Sequence, residues 1–342
     1  MSLIEMRGVS TVFGPQPQEA LAEARAGLSK AALLARGHTL ALLDVDLDIE
    51  RGEIFVVMGA SGSGKSTLVR HINRLVEPTA GRISIEGEEV LALDRAALVE
   101  LRRRRLAMVF QGFGLLEHLS VIDNVAFGLE LRGVERAERR ERAQHWLQRV
   151  GLAGFANHIP AELSGGMRQR VGLARALAGE TDIVLMDEPF SALDPLIRSR
   201  LQGELLALQA ELGRTIVFIT HDLDEALRIG SRIAILRDGR VVQVGTPREI
   251  LMQPADADVA SFVQDVNRAR ALTIGSALAP WPAGTPLPAL HEAVDADAPI
   301  EQVLPQLVGR ILPLALRRDG VIVGEVSMSA VRELLARDHI PA

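Results

Sequence analysis

The sequence predicts an α/β protein with a buried, mainly parallel sheet, and three observations lead to this prediction. Short apolar runs have the length of strands that are buried on both faces, namely Ile54–Met58, Ile183–Met186 and Thr215–Thr220. A stretch with helical spacing follows each run, which is the order of elements that a parallel sheet requires. A glycine-rich loop over residues 59–66 joins the first run to its helix.

The glycine-rich loop reads Gly-Ala-Ser-Gly-Ser-Gly-Lys-Ser and is a complete phosphate-binding P-loop. Glycine lets successive backbone N–H groups turn toward one anion, and the helix that follows adds its positive end. Lys65 supplies a point charge for the β- and γ-phosphates, and the Ser66 hydroxyl is placed to bind Mg²⁺. The loop therefore predicts a nucleotide site.

Composition narrows the class of protein. The chain has 342 residues, 48% hydrophobic and 24% charged, which is typical of a globular protein of one large or two smaller domains. Its net charge of −6 argues against a nucleic-acid partner, and the lack of cysteine excludes disulfides and thiol chemistry. No run reaches the ~18 apolar residues that span a membrane, and the N-terminus lacks a signal-peptide pattern. We therefore expect a cytoplasmic protein that can still dock on a membrane protein.

The other elements of the first part of the chain follow from local patterns. Residues 3–12 predict a strand, and the alanine-rich stretch within 14–40 predicts a helical insertion. Further along we expect strands at 42–49, around Gly87 and at 107–110, helices over 95–105 and between about 120 and 180, and a hairpin of 233–236 with 241–244. The basic run Arg102–Arg105 is interpreted as a solvated helix face, with a phosphate or lipid contact as the alternative.

Polar groups follow several of the predicted strands. Asp187 and Glu188 end one apolar run; such a carboxylate can hold Mg²⁺ and its neighbour can activate an attacking water. Gln111 and His221 each come directly after a strand, and an imidazole there could contact a γ-phosphate. The segment Leu163–Gln169 places a serine and two glycines before a helix, which predicts a second anion site. Each feature alone has an ordinary structural explanation, but their order and spacing favour a shared function.

Together these segments resemble the nucleotide-binding subunit of ABC transporters over roughly residues 3–265. Gly59–Thr67 looks like Walker A, Gln111 like the Q-loop, Leu163–Gln169 like the signature loop, Ile183–Glu188 like Walker B, Ser191–Asp194 like the D-loop and His221 like the switch histidine. Met167 and Arg168 depart from the commonest signature pattern and precede Gln169. The resemblance implies a P-loop NTPase fold, an ABC ATPase core over residues 1–266. That core has a RecA-like α/β subdomain, an antiparallel β subdomain and a helical subdomain over about 112–178.

The resemblance also implies an ATPase that uses ATP and Mg²⁺ and works as a homodimer, with each ATP held between Walker A of one chain and the signature loop of the other. It implies catalytic roles for Glu188, His221, Lys65 and Gln111, and metal contacts from Ser66, Gln111 and Asp187. The nucleotide contacts that it implies are Phe13, Gly59, Ser61, Gly62, Ser63, Gly64, Lys65, Ser66, Thr67, Ser164, Gly165, Gly166, Gln169 and Asp194. Phe13 is the candidate for stacking on adenine, because the chain has no tyrosine.

The N-terminal segment narrows the resemblance to the ATPases of glycine betaine/proline importers. The segments that carry it are Val12–Pro15, Glu19–Leu21, Gly27–Lys30, Gly37–His38, Met186–Arg198 and Thr220–Gly230. This implies a membrane permease and a periplasmic or extracellular substrate-binding protein as partners, with the chain on the cytoplasmic face of a bacterial inner membrane. Choline or carnitine as the transported molecule, and a non-transport ABC ATPase acting on DNA or ribosomes, remain as alternatives.

The last part of the chain differs in composition. Residues 267–290 contain a proline-rich stretch and predict a linker. After it the spacing predicts a helix from Ile300, a hairpin of 312–316 with 321–326, and a helix around Val331–Leu335. This order resembles a single CBS motif over 291–342, a unit that is small for burying a core unaided. A regulator built around this unit is a third functional alternative.

Overall fold

The computed structural model describes residues 2–112, 114–191, 193–264, 266–281, 292–310 and 312–336. The chain divides into two compact units, one of residues up to His221 together with Ala234–Val242, the other of Asp222–Ile233 together with the residues from Gln243 onward. The expected limits of the ATPase domain do not coincide with this division and stay a prediction. No helix within the described ranges is long and apolar enough to cross a membrane.

The elements have the following bounds. The strands are β1 (Ser2–Phe13), β2 (Thr39–Glu50), β3 (Ile54–Met58), β4 (Ala80–Ile85), β5 (Glu88–Glu89), β6 (Leu106–Val109), β7 (Ile183–Asp187), β8 (Thr215–Thr220), β9 (Arg232–Arg237), β10 (Arg240–Gly245), β11 (Val294–Asp295), β12 (Leu314–Arg318) and β13 (Val321–Val326). The α-helices are α1 (Pro17–Arg25), α2 (Lys30–Ala35), α3 (Lys65–Ile72), α4 (Arg95–Arg105), α5 (Val121–Leu131), α6 (Arg136–Arg149), α7 (Gly165–Ala178), α8 (Pro195–Leu212), α9 (Leu223–Ile229), α10 (Pro247–Met252), α11 (Ala257–Val263), α12 (Arg268–Ala271), α13 (Ile300–Leu307) and α14 (Met328–Ala336).

The predicted buried sheet is confirmed. A six-stranded sheet has the order β10-β9-β3-β8-β7-β6, and the strands β3, β8, β7 and β6 are parallel to one another. Every residue of β3, β7 and β8 is buried. Because parallel strands end at the same edge of a sheet, the loops after these four strands meet at one edge.

A second, four-stranded sheet has the order β2-β1-β4-β5. The predicted insertion lies between β1 and β2 and forms two helices rather than one, because Gly27 takes a left-handed φ of 101° and Ser29 caps α2. Its apolar residues form a small core with the adjoining strands. The members of this core are Val12, Ala20, Leu21, Ala24, Leu33, Leu40 and Leu43.

The expected helical subdomain corresponds to α5, α6 and α7, which pack against one another. Arg175 on α7 is largely buried, which lowers the pKa of its guanidinium, and it donates to the carbonyl of Gly114 at 2.6 Å. This contact ties the helix to the segment that follows Gln111.

The basic run Arg102–Arg105 is only in part the solvated face that its composition suggested, because Arg103 and Arg104 are exposed. Arg102 donates to the carbonyls of Asn73 and Arg74 at 2.8 Å, just after the end of α3. Arg105 forms ion pairs with Glu86 and Asp182. Arg102 and Arg105 therefore anchor α4 to its surroundings.

The second unit contains the predicted helix, hairpin and helix, observed as α13, β12–β13 and α14. An additional short strand, β11, pairs parallel with β12 and completes a three-stranded sheet. The likeness to a CBS motif stays a prediction. Part of the range expected as a linker is folded, because α12 lies within it and Leu272 and Ile274 are buried. Residues 282–290 of that range lie outside the described residues.

Candidate active site

The site lies where the four parallel strands end. The P-loop follows β3, Gln111 follows β6, Glu188 follows β7 and His221 follows β8. The sequence places these groups far apart, and the sheet order brings them to one edge. The structure therefore assembles the predicted catalytic side chains.

Glycine is required at two positions of the P-loop. Gly59 has a φ of 149°, and an added Cβ would lie 2.1 Å from the carbonyl oxygen of Leu236. Gly64 has a φ of 103°, and its Cβ would lie 2.4 Å from the carbonyl oxygen of Ala41. Both neighbouring atoms are backbone, so the loop keeps its shape only with glycine at these positions.

Lys65 opens helix α3 and is buried, with 6% of its surface exposed. Its ammonium donates to the carbonyls of Gly59 and Ala60 at 2.8 and 2.9 Å. Burial lowers the pKa of Lys65, and the nearby carboxylates of Glu188 and Asp187 oppose this shift. The Lys65 side chain thus folds back onto the backbone of the P-loop.

Ser66, the last residue of the P-loop, forms a hydrogen-bonded pair with Asp187. The Ser66 hydroxyl donates to Oδ1 of Asp187 at 2.8 Å, and Asp187 is fully buried at the end of β7. Arg70 reaches Oδ2 of the same carboxylate at 3.4 Å. The sequence analysis missed Arg70, although it lies four residues after Ser66 and so on the same face of α3.

This pair suits a hard divalent cation, because hydroxyl and carboxylate oxygens are ligands that Mg²⁺ prefers. Across the described ranges, no group of three or more His, Cys, Asp or Glu side chains could hold a metal ion. An ion at Ser66 and Asp187 would need the oxygens of water or phosphate to complete its coordination.

Glu188 stands at the centre of the edge. Its Oε2 accepts from the amide of Gln111 at 3.3 Å, and its Oε1 lies 3.2 Å from Nδ1 of His221. The side chain of Glu188 is 16% exposed, whereas that of His221 is 61% exposed. The carboxylate therefore faces a partly open space between an amide and an imidazole.

The backbone of Glu188 is strained and held from several sides. Its φ is 49°, a left-handed conformation that costs energy for a residue with a side chain. Its N–H donates to the carbonyl of Ile219 at 3.2 Å, and its carbonyl accepts from the Ser191 hydroxyl at 3.0 Å. Such strain is found where a fold fixes the direction of one functional side chain.

Ser63 indicates that the loop is shaped for an anion. Its hydroxyl oxygen is buried and has no hydrogen-bond partner among the described residues. Buried polar atoms are nearly always paired, so an orphan inside a P-loop fits a missing phosphate oxygen. Ser61 and Gly62 are exposed on the same loop, and Thr67 is half-buried in the first turn of α3.

The signature segment is formed but lies apart from the P-loop. Ser164 is exposed and caps α7 by accepting from the N–H of Met167 at 3.3 Å, so Gly165 and Gly166 form its first turn. No hydrogen bond links this segment to the P-loop within the described residues. Asp194 likewise caps a helix, accepting from the N–H groups of Leu196 and Ile197.

Gln169 is not on the exposed surface with Ser164. It is 4% exposed, and its amide donates to the carbonyl of Glu188 at 3.3 Å. The predicted contact between Gln169 and nucleotide has no support in this geometry. The sequence spacing could have indicated this difference, because five residues at 100° each turn Gln169 well away from the helix face of Ser164.

Phe13 ends β1, pairs with Thr39 and is 45% exposed. An aromatic ring left open at the end of a strand is available for stacking, but its role stays a prediction.

Comparisons with known proteins identify the family. The sequence profile described as ABC transporter matches residues 42–191. A trimethylamine N-oxide transport system ATP-binding protein from Ruegeria pomeroyi is 46% identical over 338 residues, which cover 98% of this chain and 97% of that protein. The glycine betaine/proline betaine transport system ATP-binding protein of Escherichia coli is 56% identical over 265 residues, or 77% of this chain. The match spans only 66% of the length of that relative.

The comparison with solved structures points to the same family. The ATP-binding cassette MJ0796, described as a dimer in a post-hydrolysis state bound to ADP and Pi, has a TM-score of 0.61 and 35% identity. The match covers 71% of this chain and 98% of that one. The chain belongs to the ABC transporter family of ATP-binding proteins.

Proposed function

We propose that this chain is the ATP-hydrolysing subunit of an importer for small methylated-amine osmolytes. The observation that carries the proposal is the position of Glu188, held between Gln111 and His221 at the edge where the P-loop ends. A carboxylate in that place can accept a proton from a water that attacks a γ-phosphate.

Nucleotide binding is assigned to the P-loop and its neighbours. The backbone N–H groups of residues 59–66 and the ammonium of Lys65 hold the phosphates, and Phe13 stacks on the adenine. The orphaned hydroxyl of Ser63 supports an anion at this place. Ser66, Asp187 and Gln111 would hold Mg²⁺, which would neutralise phosphate charge.

The catalytic step depends on the chain's own side chains. Glu188 orients and deprotonates the attacking water, while Gln111 and His221 fix the direction of its carboxylate. His221, whose side chain is exposed, is placed to donate to the γ-phosphate. The buried Asp187 keeps Ser66 in position through their 2.8 Å hydrogen bond.

The complete site needs two copies of the chain. Ser164 and the first turn of α7 expose N–H groups that suit an anion, yet they form no hydrogen bond to their own P-loop within the described ranges. We assign these groups, together with Asp194, to the nucleotide of a second copy in a homodimer. The dimeric form of the solved relative supports this assignment.

The permease partner is assigned to a groove beside Gln111. The groove has a volume of about 320 Å³, and its floor is apolar, with Met108, Phe110, Leu116, Phe127 and Leu131 among its residues. Arginines also line the groove, including Arg103 and Arg132. A short helix on the cytoplasmic side of a permease fits such a surface, and the nearby Gln111 would connect it to the active site. The chain would then act at the cytoplasmic face of a bacterial membrane.

Two substrates are favoured by different observations. Glycine betaine or proline betaine is favoured by the 56% identity with the Escherichia coli relative. Trimethylamine N-oxide is favoured because the Ruegeria pomeroyi relative matches the chain almost from end to end. Both molecules carry a methylated cationic nitrogen and an oxyanion, so a substrate-binding protein upstream of the permease would make the distinction.

Uptake of radiolabelled glycine betaine and trimethylamine N-oxide tests the proposal. A strain that lacks the gene is compared with strains that carry the wild type or Glu188→Gln. We expect the deletion to lose uptake of one of the two, and only the wild type to restore it. Unchanged uptake of both in the deletion strain would contradict the proposed substrates, while restoration by Glu188→Gln would contradict the proposed motor.

A further inference from the structure

The insertion between β1 and β2 is a packed part of the fold that the proposed function leaves without a role. Leu21 and Leu33 are buried in the core that the insertion forms with the two strands. Arg25 adds a bidentate ion pair to Asp44 on β2, at 2.6 and 3.0 Å. The insertion is therefore fixed to the sheet on which it lies.

One side chain of the insertion reaches the P-loop. The ammonium of Lys30, the first residue of α2, donates to the carbonyl of Gly62 at 3.0 Å. No carboxylate of the described residues forms an ion pair with Lys30. A full positive charge is thus placed on the phosphate-binding loop without a counter-ion.

The composition of the chain sets Lys30 apart. The sequence contains 36 arginines and only two lysines, Lys30 and Lys65. Both donate to carbonyls of the P-loop, Lys65 to Gly59 and Ala60 and Lys30 to Gly62. Every other lysine or arginine position of the chain is arginine. Arginine is also the cation in each ion pair of the described residues that does not involve histidine. A compact ammonium differs from the planar guanidinium in size and in how it binds phosphate.

We propose that Lys30 is a second phosphate-binding lysine of the nucleotide site, supplied by the insertion. The ligand is the polyphosphate of a bound nucleotide, so the inference rests on the proposed function. Gly62 lies in the middle of the loop, so this hydrogen bond holds the ammonium on the phosphate-binding loop itself. The orphaned Ser63 hydroxyl in the adjoining residue marks the same place as short of a ligand.

The test measures ATP affinity of the full chain at several salt concentrations, by titration calorimetry without turnover in the absence of Mg²⁺. Lys30→Met removes the charge and keeps the stem, Lys30→Arg restores a charge, and Arg36→Ala is the control. Arg36 belongs to the same insertion but pairs with Glu23, away from the loop. Lys65→Ala is included as a reference for loss of phosphate binding by the P-loop.

We expect Lys30→Met to weaken ATP binding about fivefold, the effect of one partly exposed charge pair, and less at high salt. Lys30→Arg should recover part of the affinity, and Arg36→Ala should bind like the wild type. The melting temperature without nucleotide should stay unchanged in all three variants.

Two results would overturn the inference while leaving the proposed function intact. One is ATP binding by Lys30→Met equal to that of the wild type while Lys65→Ala loses binding. The other is a loss of ATP affinity in Lys30→Met that does not depend on salt and comes with a lower melting temperature. That result would mean that Lys30 only stabilises the fold of the loop. A wild type that does not bind ATP would contradict both proposals.

Discussion

Replacing Ser66 by alanine should destabilise the chain even before nucleotide is added. The Ser66 hydroxyl is the partner of Oδ1 of Asp187, a carboxylate that is fully buried. Arg70 reaches only the other oxygen, at 3.4 Å. A hydrogen bond to a charged group contributes about 1.5–3 kcal/mol, and an orphaned buried partner adds its desolvation cost. We therefore expect Ser66→Ala to lower the free energy of unfolding by about 2–3 kcal/mol.

Ser63→Ala is a matched control in the same loop. The Ser63 hydroxyl is buried but has no partner among the described residues, so its removal orphans nothing. We expect its effect to stay within about 0.5 kcal/mol. Thermal unfolding without nucleotide should show Ser66→Ala melting about 3–4 °C below wild type and Ser63→Ala at wild-type temperature. Equal melting temperatures for the two variants would refute the account of the Ser66–Asp187 pair.

Two further predictions concern buried and strained positions. His71 is fully buried, which lowers the pKa of its imidazole, and its ring bonds Thr11 at 2.6 Å and the carbonyl of Val76 at 2.7 Å. The unfolded chain therefore takes up a proton first, so urea unfolding should show stability falling as the pH drops below about 6.5. His71→Gln should flatten this slope, and an unchanged slope would count against the assignment. Gly64→Ala should abolish ATP binding measured by calorimetry, because its φ of 103° is left-handed and its Cβ would meet a carbonyl of β2 at 2.4 Å. Gly62 also has a left-handed φ, of 76°, but its Cβ would meet nothing within 4 Å, so Gly62→Ala should bind ATP more tightly than Gly64→Ala.

The sequence predicted the central sheet and its site well because both depend on strong local signals. Runs of four or five apolar residues indicated β3, β7 and β8, and each functional side chain directly follows a strand. Once the strands are parallel, residues at their carboxyl ends must meet, so Gln111, Glu188 and His221 could be expected together.

The sequence did not reveal which side chains position Asp187 and Glu188 through hydrogen bonds and ion pairs. Arg70 was missed, Ser191 was expected only as part of the D-loop, and the contacts of Ser191 and Gln169 with the Glu188 backbone were not foreseen. These contacts depend on how α3 and α7 are rotated against the sheet, which packing decides. The buried face of α7 could have been inferred from the spacing of Gln169, Leu173 and Ala176.

Composition alone could not identify the long-range partners of individual residues. Four consecutive arginines suggested solvation, which holds for Arg103 and Arg104, whereas Arg102 caps the end of α3 and Arg105 bridges two carboxylates. The range expected as a linker includes Leu272 and Ile274, which precede its proline-rich stretch and are buried. A count of residue types carries no information on partners far along the chain, and such partners decide these details.

The rate of ATP hydrolysis by Glu188→Gln tests the central claim most directly. Glutamine can keep the contacts to Gln111 and His221 but cannot accept a proton from water. The account predicts that the variant loses about 100-fold or more in kcat, a typical contribution of a general base. It should still bind ATP with the affinity of the wild type and accumulate as an ATP-bound dimer, seen by light scattering. Hydrolysis by Glu188→Gln at a rate close to that of the wild type would contradict the account.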